Sequence, residues 1–142
     1  MATIRTVTRK LPLRVEFHHV DMMQIVHNSR YFIWFERGRL QLMEEFLPIK
    51  WAIEDEVASP VVVNHCEYLS PATVHDELIL TTRHRLLEKW EGRLVFEHSI
   101  SNAKSKMELC FGQTEVTLMN WAEQTLLKEI PALIWDRYQT LK

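Results

Sequence analysis

The sequence predicts an α+β fold in which one antiparallel sheet curls over one long helix. The predicted elements run in the order strand, long apolar helix, four strands and a short C-terminal helix. Short turn-like segments separate the later strands, which is typical of antiparallel neighbours. No internal repeat, linker or low-complexity segment divides the chain. We therefore expect a single domain over residues 1–142.

The first two elements follow from the spacing of their apolar residues. Residues 11–20 alternate between apolar and polar side chains, with Phe17 on the apolar face, and this period of two predicts a strand. Residues 29–46 carry apolar side chains at helical spacing, after an Asn28 that favours a helix start. These apolar residues spread beyond one stripe, so we expect the helix to lie at the centre of the fold.

The remaining elements follow from strand patterns bounded by turn residues. Residues 49–59 fit either a short helix or a loop, and Pro131 predicts the first helical position of a short helix over residues 130–135. The spacing favours strands that pair in sequence order, and their exposed edges could pair in a dimer. The four predicted strands cover residues 60–69, 77–87, 93–101 and 108–119.

Composition argues against several classes of protein. Seventeen Lys and Arg against nineteen Asp and Glu give a net charge of −2, so the chain has no overall basic field for nucleic acid. No stretch approaches the ~18 apolar residues of a membrane span, and the N-terminal residues lack a secretion signal. Cys66 and Cys110 lie in strand-like stretches typical of reduced core thiols. We expect a cytoplasmic protein.

Histidine is abundant, with seven in the chain, but its spacing does not predict a metal site. The sequence has neither a His-Glu-x-x-His segment nor a Cys-x-x-Cys pair. Histidines at strand positions such as His65, His84 and His98 are typical of packed or surface groups. We expect no metal and no redox cofactor.

The first candidate for chemistry is Asp21, which lies among apolar neighbours just before the long helix. The free N–H groups and positive dipole end of a helix N-terminus can stabilise an oxyanion. A carboxylate at this place could activate water or attack a carbonyl. An aspartate before a helix is also a common turn or capping residue, so position alone leaves both interpretations open.

A longer pattern surrounds Asp21. Residues 20–21, 25–31 and 34–36 read Val-Asp, Ile-Val-His-Asn-Ser-Arg-Tyr and Trp-Phe-Glu. This pattern resembles the hotdog-fold acyl-CoA thioesterases of the 4-hydroxybenzoyl-CoA thioesterase type. Residues 68–72, 76–78 and 128–131 are similar to later turns of that family, so the resemblance covers nearly the whole chain.

The resemblance implies a hotdog fold, with a five-stranded antiparallel sheet wrapped around one long helix. It implies homodimers or homotetramers with active sites at the dimer interface. The implied reaction is hydrolysis of an acyl-CoA thioester to a free acid and CoA, with CoA present only as part of the substrate. Asp21 matches the residue that attacks the thioester or activates water, and the backbone N–H of Asn28 matches the oxyanion donor.

The chain departs from the family pattern close to Asp21. Met22, Met23 and Gln24 stand where many relatives carry small residues, so we expect them to shape the space for the acyl group. Several relatives carry histidine where this chain has Asn28, and His27 lies one residue earlier. The side chains of His27 and Asn28 are therefore candidates for assisting the water or the leaving thiolate.

Two further groups are candidates for substrate binding. Tyr31 lies on the helix that borders the site and could line the acyl pocket, although an aromatic at helical spacing is also typical of a core. Arg83, Arg85 and Arg93 could contact the phosphates of CoA, and an ordinary surface role fits them equally well.

Two alternative functions are open at this point. A hotdog dehydratase or hydratase would need a histidine placed differently and an active-site turn rich in Pro or Gly, which the sequence lacks. A non-catalytic module that binds acyl-CoA or an acyl carrier would also keep the aspartate. Hydrolysis is favoured because an acidic residue occupies the catalytic position of the family that the chain resembles.

Overall fold

The computed structural model describes residues 4–142 and has the α+β architecture expected from the sequence. One five-stranded antiparallel sheet has the strand order β1-β4-β5-β6-β3, and a small sheet has the order β2-β7-β8. In chain order the elements are β1 (Thr6–Arg14), a 3-10 turn (Phe17–His19), α1 (Ser29–Met43), α2 (Ile49–Glu54), β2 (Val57–Ala58), β3 (Val61–Tyr68), β4 (Glu77–Arg85), β5 (Leu94–Asn102), β6 (Glu108–Val116), β7 (Met119–Asn120), β8 (Thr125–Leu126) and α3 (Ala132–Gln139).

Strand pairing departs from sequence order at one place. Strands β4, β5 and β6 pair consecutively, but β3 pairs with β6 and not with β4. The reason is that β1 pairs with β4 along its whole length, from Thr6 opposite Arg85 to Arg14 opposite Glu77. The free side of β6 is the position left for β3, so β1 and β3 become the two edges.

The expectation of a strand over residues 11–20 is wrong at both ends. Strand β1 begins at Thr6 and ends at Arg14, and Phe17 lies in the 3-10 turn with 81% of its surface exposed. A local bond explains the error, since the Glu16 backbone N–H donates to His19 Nδ1 at 2.8 Å and closes the turn. A short run of alternation does not distinguish this turn from a continuing strand.

Other boundaries shift by a few residues. Helix α1 ends at Met43, where the sequence pattern extended to residue 46, and α3 starts one residue after Pro131 and runs to Gln139. The ambiguous residues 49–59 form α2 and β2, and the last long strand ends at Val116. The Thr117 N–H still donates to the Pro60 carbonyl at 3.1 Å, one residue beyond the last pair of β3 and β6.

Helix α1 packs on the inner face of the sheet through a small residue and an aromatic one. A Cβ on Gly38 would contact the side chains of Thr82 and Leu80, so the helix backbone lies very close to β4. One turn earlier, Phe35 stacks on His98 of β5 with ring centroids 4.4 Å apart. Phe35 also occupies the space beside Gly112, where a Cβ would contact it.

A row of polar side chains crosses the inner face below α1. Thr114 Oγ1 donates to Asn64 Oδ1 at 3.0 Å, so its only proton is committed. His98 Nε2–H therefore donates to Thr114 at 3.2 Å, and Nδ1 accepts from the Thr82 hydroxyl at 3.1 Å. Burial, with a smaller contribution from the charge of Arg39, lowers the pKa of His98 to about 3. The imidazole is neutral and held in one tautomer.

The C-terminal helix is attached by a second neutral histidine. Tyr138 of α3 accepts a hydrogen bond from the Leu87 N–H at 2.7 Å and donates its own proton to His84 Nε2 at 2.7 Å. His84 Nδ1–H then donates to the Val95 carbonyl at 2.8 Å. Burial lowers the pKa of His84, because the charged form would lose its hydration.

We expect acid to destabilise the fold through His98. Its pKa is about 3 in the folded protein, against an ordinary value of 6.5 for an unfolded chain, so between these values the unfolded state binds more protons. The free energy of unfolding should fall as pH is lowered below 6.5, by about 2 kcal/mol at pH 5 from this group. Urea denaturation at fixed protein concentration across pH 5–8 measures the slope.

The variant His98→Asn should flatten this slope, whereas His65→Asn, which removes an exposed imidazole, should keep it. Some slope should persist because the pKa of His84 is lowered as well. Equal slopes for the wild type and His98→Asn would contradict the assignment.

Candidate active site

The loop between β1 and α1 is held by backbone hydrogen bonds that leave little freedom at Asp21. The Asp21 N–H donates to the Ile25 carbonyl at 3.0 Å, and its carbonyl accepts from the Gln24 N–H at 2.9 Å. Gln24 has a φ of 63°, in the left-handed region that closes the turn. The His27 N–H donates to the His19 carbonyl at 2.9 Å, which ties the loop to the end of the 3-10 turn.

The Asp21 carboxylate is oriented by the same turn. Its Oδ1 accepts a hydrogen bond from the Met23 N–H at 2.8 Å, which limits side-chain rotation. Within residues 4–142 Oδ2 has no hydrogen-bond partner, and the side chain is exposed to solvent. The carboxylate thus has one fixed oxygen and one oxygen available to a ligand.

Helix α1 begins at Ser29, six residues after Met23. Asn28 has helical backbone angles, with φ −54° and ψ −33°, and its side chain does not cap the helix. His27 takes that role, since its Nδ1 accepts from the Ser29 N–H at 3.2 Å and lies 2.7 Å from Ser29 Oγ. No hydrogen bond of the Asn28 N–H is formed within the described chain, so this donor is available at the positive end of α1.

A cleft of about 400 Å³ is lined by both Asp21 and Asn28. Tyr68, at the end of β3, donates its hydroxyl to the Asn28 carbonyl at 3.0 Å and so connects the edge strand to the start of α1. The rings of Tyr31 and Tyr68 meet edge to face with centroids 5.1 Å apart. The cleft is lined by Asp21, Ile25, Val26, His27, Asn28, Tyr31, Tyr68, Leu69, Ser70 and Pro71.

The two tyrosines are uncharged at neutral pH. Burial raises the pKa of Tyr31 to about 12 and that of Tyr68 to about 12. The cleft therefore presents a carboxylate, a free backbone N–H and apolar or neutral walls. Such a site can hold an uncharged carbonyl compound and stabilise negative charge that develops on its oxygen.

The structure brings together four of the residues predicted from the sequence. Asp21, His27, Asn28 and Tyr31 all line the cleft. Met22, Met23 and Gln24 form the adjacent turn with exposed side chains and do not line it; Met22 is fully exposed. Their predicted role in shaping the acyl space stays a prediction.

The three candidate arginines lie away from this cleft. Arg83 and Arg85 are exposed on β4 and line a separate depression of about 420 Å³ that also contains Thr6 and Val95. Arg93 lies 3.5 Å from Glu115 in a partly exposed ion pair. Contact of these side chains with CoA phosphates likewise stays a prediction.

Sequence reasoning did not identify one wall of the site. Tyr68 ends β3, and Leu69, Ser70 and Pro71 follow it, some forty residues after Asn28 in the chain. The family resemblance marked these residues only as a turn. The segment Tyr-Leu-Ser-Pro at the boundary of β3 could have indicated these residues. Their position beside α1, however, depends on the pairing of β3 with β6.

Residues 4–142 contain neither a metal-ligand cluster nor a membrane-spanning helix. No three His, Cys, Asp or Glu side chains in this range are grouped closely enough to hold a metal ion. Over the same range, the helices are too short or too polar to span a lipid bilayer.

Comparison with known families gives a match over most of the chain. The family model of the thioesterase-like superfamily matches residues 15–134. The chain belongs to this superfamily. The matched range includes both the loop that carries Asp21 and the whole five-stranded sheet except β1.

Individual relatives agree with this membership. The thioesterase-like chain is 29% identical over 82 residues to the long-chain acyl-CoA thioesterase FadM of Escherichia coli, covering 58% of this chain and 62% of FadM. A 1,4-dihydroxy-2-naphthoyl-CoA thioesterase from Synechocystis has 19% identity and a TM-score of 0.79, covering 95% of this chain and 98% of that one. A Staphylococcus aureus protein solved in complex with CoA has 13% identity and a TM-score of 0.81, with 100% and 90% covered.

These comparisons confirm the resemblance to the hotdog-fold acyl-CoA thioesterases and the fold it implied. The structural matches share the fold across almost the full chain at low identity. The match to FadM spans less than two thirds of the FadM chain, so the activity and substrate of FadM extend to this chain only as proposals.

We expect two tyrosine hydroxyls to contribute unequally to stability. Tyr68→Phe removes one hydrogen bond at a half-exposed position and should lower the free energy of unfolding by about 1 kcal/mol or less. Tyr138→Phe leaves the part-buried Leu87 N–H and the buried His84 Nε2 without partners, so its loss should reach about 2–3 kcal/mol. Chemical denaturation of both variants measures the difference.

The amide of Ser29, next to the Asn28 carbonyl, should exchange hydrogen faster in Tyr68→Phe, because the bond that holds the start of α1 is lost. Equal losses of stability in the two variants would show that the Tyr138 network is not intact in solution.

Proposed function

We propose that the protein hydrolyses an acyl-CoA thioester to a free acid and CoA. The observation that carries the proposal is that Asp21, whose carboxylate has one free oxygen, and Asn28, whose N–H has no partner within residues 4–142, line the same cleft at the positive end of a 15-residue helix. Membership of the thioesterase-like superfamily and the activities named for FadM and the Synechocystis relative support it.

The proposed mechanism uses each group for one task. With the thioester carbonyl oxygen at the Asn28 N–H, the free Oδ2 of Asp21 takes a proton from an attacking water or attacks the carbonyl carbon itself. The helix N-terminus stabilises the resulting oxyanion. The C–S bond then breaks, and CoA leaves as the thiolate. On the water route this gives the free acid directly, and on the other route it leaves an anhydride between Asp21 and the acyl group, which water cleaves to the free acid and the Asp21 carboxylate. Both routes need only water and the substrate, so the proposal includes no cofactor.

The walls of the cleft suit an uncharged acyl group. Tyr31 and Tyr68 are neutral, and Leu69 and Pro71 add apolar surface. The relatives are named for a long-chain and for a naphthoyl substrate. A substrate panel should therefore contain both aliphatic and aromatic acyl-CoA compounds.

We further propose that a second copy of the chain covers β3. This edge strand is Val-Val-Val-Asn-His-Cys-Glu-Tyr, yet none of its eight residues is buried. Val61, Val62 and Tyr68 are each more than 40% exposed, and Leu69 beyond them is 52% exposed. An apolar unpaired edge is a typical site of strand pairing between subunits. Because Tyr68 and Leu69 also line the cleft, the second copy would lie next to it.

We expect Asp21→Asn to lower turnover by about a hundredfold or more, because the amide can neither accept a proton nor attack a carbonyl. Release of CoA thiol from the acyl-CoA panel measures the rate, with thermal melting as a check on folding. Asp136→Asn, which removes an exposed carboxylate on α3, is the matched control and should keep wild-type rates.

Wild-type turnover in Asp21→Asn would overturn the mechanism. Binding of acyl-CoA to the wild type without thiol release would favour the non-catalytic binding module instead.

The edge strand gives a separate test. Val62→Lys places a charge on the exposed part of β3 and should convert a dimer to monomers at micromolar concentration, as measured by analytical ultracentrifugation. Ile53→Lys on α2 changes an apolar residue that is 65% exposed and should leave the dimer intact. A wild-type monomer, or a Val62→Lys dimer, would contradict pairing through β3.

A further inference from the structure

The side chain of Arg39 on α1 is buried without a counter-charge. It is 6% exposed and has no side-chain hydrogen bond within residues 4–142; Nε is wholly buried, whereas the terminal nitrogens of the guanidinium are not and can meet a carboxylate from outside. No ion pair within residues 4–142 includes it. Burial lowers the pKa of Arg39, and Glu36 opposes this through its charge. A buried guanidinium of this kind is strongly unfavourable unless an acceptor completes it.

The helix geometry places Arg39 on the flank of α1 that faces the β3 edge. Gly38 lies against β4, and Phe35 lies above β5 and β6. Successive residues are about 100° apart around a helix, so Phe35 lies about 60° around α1 from Gly38. Arg39 lies about 40° further in the same direction, on the side of α1 that is turned away from β4. The next strand in that direction is β3, the edge that nothing covers within the described chain.

An acidic residue lies on the same flank. Glu36 is one turn before Arg39 and is exposed, and it too forms no ion pair within residues 4–142. A cation and an anion one turn apart on one flank make a self-complementary pattern. A two-fold axis between two such helices would bring each Arg39 to the Glu36 of the other copy.

We propose that Arg39 is an interface residue, completed in the homodimer by the carboxylate of Glu36 from the partner subunit. The two reciprocal ion pairs would lie beside the paired β3 strands. This inference rests on the homodimer proposed above and adds the residues that hold its helices together. It also explains why a buried arginine is tolerated on a helix whose other buried residues are mostly apolar.

The effect of one substitution on chain stability and on dimer association tests the proposal. Arg39→Met keeps the length of the side chain and removes its charge. If the guanidinium is unpaired in solution, the change should stabilise the chain and leave association unchanged. If the partner subunit completes it, the dimer dissociation constant should rise about tenfold or more. Sedimentation equilibrium measures the constant, and Arg37→Met, on the exposed side of α1, is the matched control.

A second variant decides the outcome if Arg39→Met does not fold. Glu36→Gln alters only an exposed residue, and it should weaken association to a similar extent. The double variant Glu36→Arg/Arg39→Glu should associate more tightly than either single charge reversal. Wild-type association in both Arg39→Met and Glu36→Gln would overturn the proposal.

Thiol release from acyl-CoA, measured on the same samples, separates the two proposals. A wild type that hydrolyses acyl-CoA while Arg39→Met associates normally refutes only the inference about Arg39. A wild type that dimerises through Arg39 and Glu36 without hydrolysis refutes only the proposed activity.

Discussion

The close approach of α1 to the sheet at Gly38 is the constraint on which the rest of the structure depends. Any larger side chain there would contact Thr82 and Leu80, so the glycine sets how deeply the helix sits. That depth lets Phe35 stack on His98, and it brings the start of α1 within reach of Tyr68 at the end of β3. The position of the Asn28 N–H, and therefore the cleft, follows from the packing of residues two to three turns away.

Because α1 sits this close to the sheet, polar side chains beneath it are removed from water. His98, Thr82 and Thr114 are buried between α1 and the sheet, and each must find a hydrogen-bond partner there. They satisfy one another in a single direction that ends at Asn64 on the edge strand. The row works only with a neutral His98, which its lowered pKa maintains. A polar core of this kind favours one register of β4, β5, β6 and β3 over its neighbours.

The extent to which the sequence predicted the fold differs between local and long-range features. Helix α1 and the strands β3 to β6 were predicted within a few residues, because each carries its own apolar period. The 3-10 turn at Phe17 was missed, since three residues of alternation look like a strand. The place of β3 beside β6 could not be predicted from spacing, because it depends on β1 already occupying β4.

In the site, too, the local residues were predicted and the residue brought in by long-range pairing was not. Asp21, His27, Asn28 and Tyr31 are close in sequence, so a motif could identify them, whereas Tyr68 joins them only through the sheet. Tyr68 belongs to the uncovered edge strand and also holds the Asn28 carbonyl through its hydroxyl. A force on β3, such as pairing with a second strand, is therefore transmitted to the Asn28–Ser29 peptide, which directly follows the peptide that carries the proposed oxyanion donor. In this fold the geometry of the cleft and the state of the β3 edge are mechanically connected.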